Sequence, residues 1–552
     1  MNDSSTWPTI DAMLADVAAA HAQRTALVDG GGRCSYEELW RQVHRFARML
    51  HEAGIRPGER VVLLMPTSIM HTIAVLGCMH AQALPCSLHI RESSANLVEI
   101  ARRLEPRAIV HDLMLSTQAQ AIQAALPGLS VAIGAVTPAT PADLAAAATK
   151  LPRLLPRDLA AIDDSPLPLP QRTAGDAAEG AAAIVMSSGT TSVPKGVVHS
   201  HATLLASAAN GARYLLAEPG RCGINAFGTG FIGWYNCTLP YLCSGATLVL
   251  MSEWEPVQLL RWVQDERVAS CMLVPTMWRM VLRSRPQDWD LSSLRRVGFA
   301  GEQIDRDTFD AIRRDICAEV MNSYGATETG TWAGCTIMLP GDYERAWRID
   351  SIGRAARGVE LRLVRPGGSV DDVVGIGDEG ELILRGPSVA REIWRQPELT
   401  RQKFEQGWWR SGDLGSIDAE GFVYLRGRTD DMIVSGGINV LPNAVEEVIC
   451  RHPAVRECVV VGLPSPDWGQ LIAAFVVAEP SLGIGELEAF VRDSGLPSFQ
   501  RPKRYQFVAE LPKGNTGKLN RRALREQHSG LVQAASSSAA NGSGTASDEG
   551  RA

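Results

Sequence analysis

AAAIVMSSGTTSVPKGVVHS, Ala181 to Ser200, sets an apolar run on each side of a segment built from serine, threonine, glycine and one lysine. AAAIVM and GVVHS both have the length and residue types of short strands, so the order read is strand, loop, strand. Small hydroxyl residues and glycine leave backbone N–H groups free to converge on an anion, and Lys195 adds positive charge. The familiar GxxxxGK[ST] phosphate loop does not fit. Counted from Gly189 it needs glycine at Pro194 and Ser or Thr at Gly196. Taken alone, the stretch suits a Ser/Thr/Gly surface hairpin as well as an anion loop.

The 552 residues exceed what one hydrophobic core supports, so two or more domains are expected. With 45% hydrophobic and 21% charged residues the chain has an ordinary globular composition. Its net charge of -7 is spread without a basic block, which argues against nucleic acid as a partner. The amino terminus, MNDSSTWPTIDAML, lacks the positive and apolar regions of a secretory signal, and no apolar run reaches the roughly 20 residues of a membrane helix. A cytoplasmic setting is expected. The 11 cysteines are scattered from Cys34 to Cys458 without CxxC spacing, which predicts neither a zinc site nor a disulfide framework but buried small apolar residues.

Along the chain, Ser35-Tyr36-Glu37-Glu38 has the form of a capping box. Leu39, Val43, Phe46, Ala47 and Leu50 follow at helical spacing until Gly54. RVVLLMP then reads as a buried strand, and alternating helix and strand patterns predict α/β organisation. Between Thr137 and Gly180 weak periodicity predicts an irregular connection. From Gly353 to Tyr424 short β-rich pieces such as GELILRG suggest a small barrel or sandwich. A second α/β unit follows, with helices near Ala444–Arg451, near Gly485–Arg492 and after Lys518, and strands RECVVVGL and LIAAFVVAE. The tail from Ser529 is low in complexity and cannot bury enough apolar surface to order itself.

Five further stretches stand out: FAGEQI (Phe299–Ile304), NSYGATETG (Asn322–Gly330), WWRSGDLG (Trp408–Gly415), GRTDDMIVSGGINVLP (Gly427–Pro442) and LPKGNTGKLNRRALR (Leu511–Arg525). With the opening loop, their order and spacing resemble the acyl- and aryl-CoA synthetases of the adenylate-forming superfamily. The resemblance covers nearly the whole chain except the tail. It implies a large N-terminal domain, residues 1–429, of α/β subdomains plus a small β-barrel at about 346–429. It also implies a small mobile α+β C-terminal domain, residues 430–528, followed by a disordered tail, 529–552.

The resemblance implies roles for the motif residues. Ser187, Ser188, Gly189, Thr190, Thr191 and Lys195 would wrap the ATP phosphates; Ser192 stands where the family pattern has glycine. Ala300, Gly301, Glu302, Asn322, Ser323, Tyr324, Gly325 and Thr327 would line the nucleotide site, with Tyr324 on adenine, Asn322 at its exocyclic amine and Thr327 at phosphate. Glu328 would hold Mg²⁺. Asp413 would accept from the ribose hydroxyls beside Arg428, and Asp430 would be the hinge. Lys518 would be the adenylation lysine, with Thr191 and Glu328 beside it in catalysis. Ser435, Gly436 and Gly437 would let a pantetheine arm pass, and Trp468, Phe499, Arg501 and Lys503 would handle the CoA nucleotide.

The implied reaction is acid plus ATP to acyl-AMP plus pyrophosphate, then thioester formation with CoA by domain alternation. An ionised carboxylate attacks the α-phosphate without a general base, so the site must supply charge stabilisation instead. The absence of a His-Asp or paired-carboxylate motif among the stretches fits that need. Gly325 replaces the tryptophan that closes the acyl tunnel of acetate-specific relatives, which implies a larger acid, aromatic, alicyclic or medium-chain. Phe231, Trp234, Ala300 and Gly325 are the expected walls. FGTGFIGWYN lacks the Phe-Asp pair of amino-acid-activating relatives and departs from the family's aromatic-histidine segment. The rival readings are a ligase loading the phosphopantetheine of an acyl carrier protein and a non-catalytic nucleotide- or acyl-binding protein. A monomer or homodimer is expected.

Overall fold

The strands at Arg60–Leu64 and Ala108–Asp112 are buried along most of their length, and the pattern has a topological cause. Both lie inside a parallel sheet, where helices cover the two faces and no strand face meets water. The computed structural model describes residues 7–147, 153–154, 167, 169–170, 173–187, 194–513 and 519–528. Among these, the parallel sheet runs 84–87, 60–64, 108–112, 131–135 and 153–154. The helix Tyr36–Glu52 starts where the capping pattern predicts, the Ser35 hydroxyl accepting from the Glu38 N–H at 3.2 Å.

A nine-stranded mixed sheet carries most of the N-terminal mass, in the order 354–355, 336–338, 320–324, 296–300, 268–273, 222–225, 247–250, 25–29 and 32–35. Its centre is parallel and its outermost strands are antiparallel, a common way to end such a sheet. A third, three-stranded sheet contains the opening motif. Ala181–Ser187 pairs antiparallel with Lys195–Ser200, Ser187 opposite Lys195, and Glu392–Ile393 adds an edge. The strand–loop–strand reading therefore holds, whereas strand–loop–helix fails.

The β-rich segment forms a five-stranded antiparallel sheet in which the long strand Trp408–Ile417 pairs with 380–385, 404–405 and 423–428. Its described pairings leave the outer strands unjoined, so what the barrel expectation meets is an open sheet. The C-terminal part has its own core around Ile433, Val460, Ile472 and Val491. There the predicted strands extend to Val455–Ser465 and Gly469–Ala478, and the helices are Pro442–Cys450, Ile484–Asp493 and Arg521–His528. A hairpin at 433–440 and a parallel strand at 504–507 were not legible beforehand. In the described parts of the connection between residues 137 and 180, short helices occur at Ala142–Ala147 and Ala174–Glu179. All 11 cysteines are free, and eight of them are buried. No helix among the described residues is long and apolar enough to cross a membrane.

Candidate active site

Two neighbouring parallel strands, Arg296–Ala300 and Val320–Tyr324, end side by side with Ala300 opposite Ser323. Carboxyl ends of parallel strands are where an α/β sheet offers its ligand crevice. Here they deliver Ala300, Gly301 and Glu302 from one strand and Tyr324, Gly325 and Thr327 from the other. Gly301 has φ +84, a left-handed conformation that glycine adopts without steric cost. The Thr276 hydroxyl donates to Glu302 at 3.0 Å, and Asn322 and Ser323 are buried.

Across the crevice, the turn-rich strand Trp408–Ile417 meets this edge. The Tyr324 hydroxyl donates to Asp413 Oδ2, and Arg428 Nη1 donates to Asp413 Oδ1 at 2.7 Å. Asp413 and Arg428 are direct cross-strand partners, so their pairing follows from the register of two adjacent strands. Burial, and then the Asp413 carboxylate, push the Tyr324 phenol well above its ordinary range, which keeps it a donor. A carboxylate has about four lone-pair sites, so Asp413 is able to accept from several donors at once, ligand hydroxyl groups included. Gly412 precedes it at φ +73; an added Cβ would sit 3.2 Å from Arg428 Nη2.

Lys195 lies at the start of the returning strand, buried beside the same crevice. Burial lowers its pKa and the nearby Lys403 adds to this, while Glu328 and Asp430 oppose it. Three expected participants thus share one electrostatic neighbourhood. Lys403 was missed by sequence reasoning because a lysine in RQKFEQG has no motif of its own. His199 was missed too: its Nε2 donates to the Thr327 carbonyl at 2.8 Å, tying the returning strand to the Thr327–Glu328 turn. Ser188, Gly189, Thr190, Thr191, Ser192 and Lys518 lie outside the described residues.

Glu328 has the donor chemistry for a hard divalent cation. Its carboxylate takes no hydrogen bond or close ion pair among the described residues, and Thr327 places a hydroxyl beside it in sequence. No cluster of three or more His, Cys, Asp or Glu suited to a metal occurs among the described residues. Mg²⁺ is commonly held by one or two carboxylates together with substrate phosphates, and Glu328 offers one such carboxylate.

Of the expected acyl walls, Phe231 is partly exposed and packs on His89, ring centroids 4.7 Å apart. Trp234 differs from the expectation in being wholly buried, edge-on to His71 at 4.7 Å and to Tyr235 at 5.0 Å. Its surroundings are those of a core residue.

The C-terminal candidates divide into two groups. Gly436 donates its N–H to the Trp468 carbonyl at 2.9 Å, and a Cβ on it would lie 3.1 Å from the indole. The Lys503 ammonium sits 5.5 Å from the centroid of the same ring, so Ser435, Gly436, Gly437, Trp468 and Lys503 form one patch. Trp468 is 43% exposed and Phe499 44%. Arg501, by contrast, spends its Nε on the Leu496 carbonyl at 2.8 Å. Asp431, next to the expected hinge Asp430, pairs with Arg525 at 2.6 Å and Arg521 at 3.4 Å on the last helix. The run NRRALR carried that signal only as a basic helix.

The family model described as AMP-binding enzyme matches residues 14–394, and that of the AMP-binding enzyme C-terminal domain matches residues 444–518. A feruloyl-CoA synthase from an Amycolatopsis species is 31% identical over 533 residues, 94% of this chain and 98% of its own. A 4-chlorobenzoate–CoA ligase from an Arthrobacter species is 31% identical over 527 residues, 92% and 93% of the two chains. The crystal structure of ATP-bound MatB from Rhodopseudomonas palustris superimposes with a TM-score of 0.79 at 25% identity, over 94% of this chain and 99% of that one. The first match spans the Ala181–Ser200, Phe299–Ile304 and Asn322–Gly330 motifs, and the chain belongs to the adenylate-forming, AMP-binding superfamily, among its acyl- and aryl-CoA synthetases: enzymes that join a carboxylic acid to CoA through an acyl-adenylate, using ATP and Mg²⁺.

Proposed function

We propose that this ligase activates an acid larger than acetate, with an aromatic acid the first choice, and passes it to free CoA. The observation that carries the reading of the site is the meeting of Tyr324, Asp413 and Arg428, which come from three separate motifs. Asp413 and Arg428 suit a ribose, and the flat ring of Tyr324 suits an adenine face. An aromatic acid is supported by the feruloyl and 4-chlorobenzoate specificities named for the two relatives. Gly325 is exposed and carries no side chain that could close a tunnel, and Phe231 and Ala300 offer apolar wall. A cytoplasmic setting suits an enzyme that consumes ATP and CoA.

In the first half-reaction the substrate carboxylate oxygen bonds to the α-phosphorus and the bond to the pyrophosphate oxygen breaks. No proton moves. The groups that matter are positive charges and N–H donors around the phosphates: Lys195, the Ser187–Thr191 loop and Lys518. Thr327 and Glu328 would hold Mg²⁺, which when bound offsets phosphate charge. In the second half-reaction the CoA thiol gives up its proton to solvent, its sulfur bonds to the acyl carbon, and the bond from that carbon to the phosphate oxygen breaks, so that AMP leaves. Residues 430–528 rotate about Asp430, exchanging the Lys518 face for the Gly436–Gly437 face. Trp468 and Lys503 give the nucleotide end of CoA an aromatic surface and a cation, which favours free CoA over a carrier protein.

Pyrophosphate exchange across a panel of aromatic, alicyclic and medium-chain acids, followed by product analysis with CoA or holo-carrier protein, tests this directly. Exchange confined to short acids would overturn the substrate class. Transfer to the carrier protein alone would overturn the acceptor.

A further inference from the structure

The turn Thr327–Thr329 is a single 3₁₀ turn, too short to fix itself through its own hydrogen bonds. It is held from outside, carbonyl by carbonyl. His199 Nε2 donates to Thr327 O at 2.8 Å, the Ala390 N–H to Glu328 O at 2.8 Å, Ser388 Oγ to Thr329 O at 2.6 Å, and Ser207 Oγ to Gly330 O. With the carbonyls engaged this way, the side chains of Thr327 and Glu328 are left for other partners.

Among these donors His199 has a particular place. It is fully buried on the strand Lys195–Ser200, four residues after Lys195. Residues four apart on a strand share a face, so one strand delivers both the lysine and the imidazole. A carbonyl only accepts, so the imidazole proton resides on Nε2. Nδ1 then faces the Thr203 hydroxyl at 3.3 Å, while that hydroxyl lies 2.9 Å from Ser200 O as a donor. Gly330 closes the turn at φ +61, and a Cβ there would stand 3.3 Å from His199 Cε1. Imidazole and turn approach closely here.

We propose that His199 is a positioning residue for adenylation: its Nε2–H fixes the Thr327–Glu328 turn relative to Lys195, so that the metal-binding carboxylate and the phosphate-facing lysine share one frame. The inference rests on the reading of Glu328 as the Mg²⁺ ligand and Thr327 as a phosphate contact. The competing view is a satisfied core histidine whose loss costs stability alone.

His199→Met keeps the bulk and removes the donor, whereas His199→Gln keeps an N–H of similar reach. The measurement is equilibrium affinity by calorimetry for Mg·ATP and, as reference, for AMP, which lacks the β- and γ-phosphates. Expected for His199→Met is a loss of about 10- to 100-fold toward Mg·ATP against about threefold or less toward AMP, with His199→Gln recovering most of the difference. Equal losses toward both nucleotides, or a glutamine variant no better than methionine, would overturn the proposal in favour of a purely structural role. Should His199→Met fail to fold, His199→Asn, too short to reach the Thr327 carbonyl, takes its place with the same two readings. A wild-type protein that binds no Mg·ATP would sink the reading of the site itself, and this inference with it.

Discussion

The nucleotide crevice of the large domain and the exposed patch of the small one handle their polar groups in opposite ways. In the crevice, Tyr324, Asp413 and Arg428 hold one another, and the Thr327–Gly330 turn is pinned at four carbonyls. On the patch, Trp468 stands nearly half exposed, and Gly436 and Gly437 take φ +58 and +79. A site that stabilises charge in a transition state gains from donors fixed in advance. A surface that must admit a long flexible arm gains from the absence of side chains. On the function proposed above, the difference teaches that tight internal bonding goes with the step at phosphorus, and openness with the step at sulfur.

The comparison can be broken most sharply at Lys518. Lys518→Ala is expected to lower pyrophosphate exchange by about 10³-fold while thioester formation from supplied acyl-adenylate survives, since only the first step needs its charge at the α-phosphate. Equal damage to both half-reactions would remove the division of labour. Next in size, Asp413→Ala leaves the buried side of Arg428 without its partner and removes the ribose acceptor; KM for ATP should rise about 10- to 100-fold with a smaller change in KM for CoA. A comparable rise for both substrates would show that the crevice is not specific to nucleotide.

A smaller effect is expected on the open patch. Gly437 has nothing within 4 Å of an added Cβ, so space does not oppose a side chain there but its φ of +79 does. Gly437→Phe should slow thioester formation about tenfold relative to adenylation, and Gly437→Asn, which tolerates the left-handed region better, should do so less. An unchanged ratio of the two half-rates in both variants would mean that the arm passes elsewhere.

How much of this was legible follows the same division. The strand–loop–strand order around Lys195 was readable because both flanks are short apolar runs, and the alternation of helices and buried strands gave the α/β class. Asp413 and Arg428 were found through their motifs, though not that they face each other across two strands, a fact of register that no single segment carries. His199 and Lys403 escaped because their partners are remote in sequence: His199 meets a carbonyl 128 residues away, and a backbone acceptor leaves no mark in a sequence. Trp234 misled for the converse reason. A tryptophan beside Phe231 reads as pocket wall, yet the helix Ile232–Ser244 turns it into the core against His71.

That core makes the last comparison one of acid tolerance. Burial drives the His71 imidazole down to about 3 from 6.5, so it stays neutral in the fold while the unfolded chain takes up a proton on acidification. Because the unfolded state binds more protons between these two values, stability rises with pH across the window. The contribution is complete above about 6.5 and is lost as pH falls toward 3. Between pH 6.5 and about pH 5 the loss amounts to about 2 kcal/mol, on the order of one pKa unit per 1.4 kcal/mol. His71 Nε2 lies 2.8 Å from Ser87 Oγ, a contact that His71→Gln can keep without a titrating group. Urea denaturation at the two pH values should therefore show a shallower acid dependence in the variant than in the wild type. The slope will not vanish, because His199, lowered to about 4 chiefly by burial, works in the same direction. Identical slopes in variant and wild type would mean that the large domain opens around His71 before it is globally unfolded, and that its interior is less rigid than the bonding in the crevice implies.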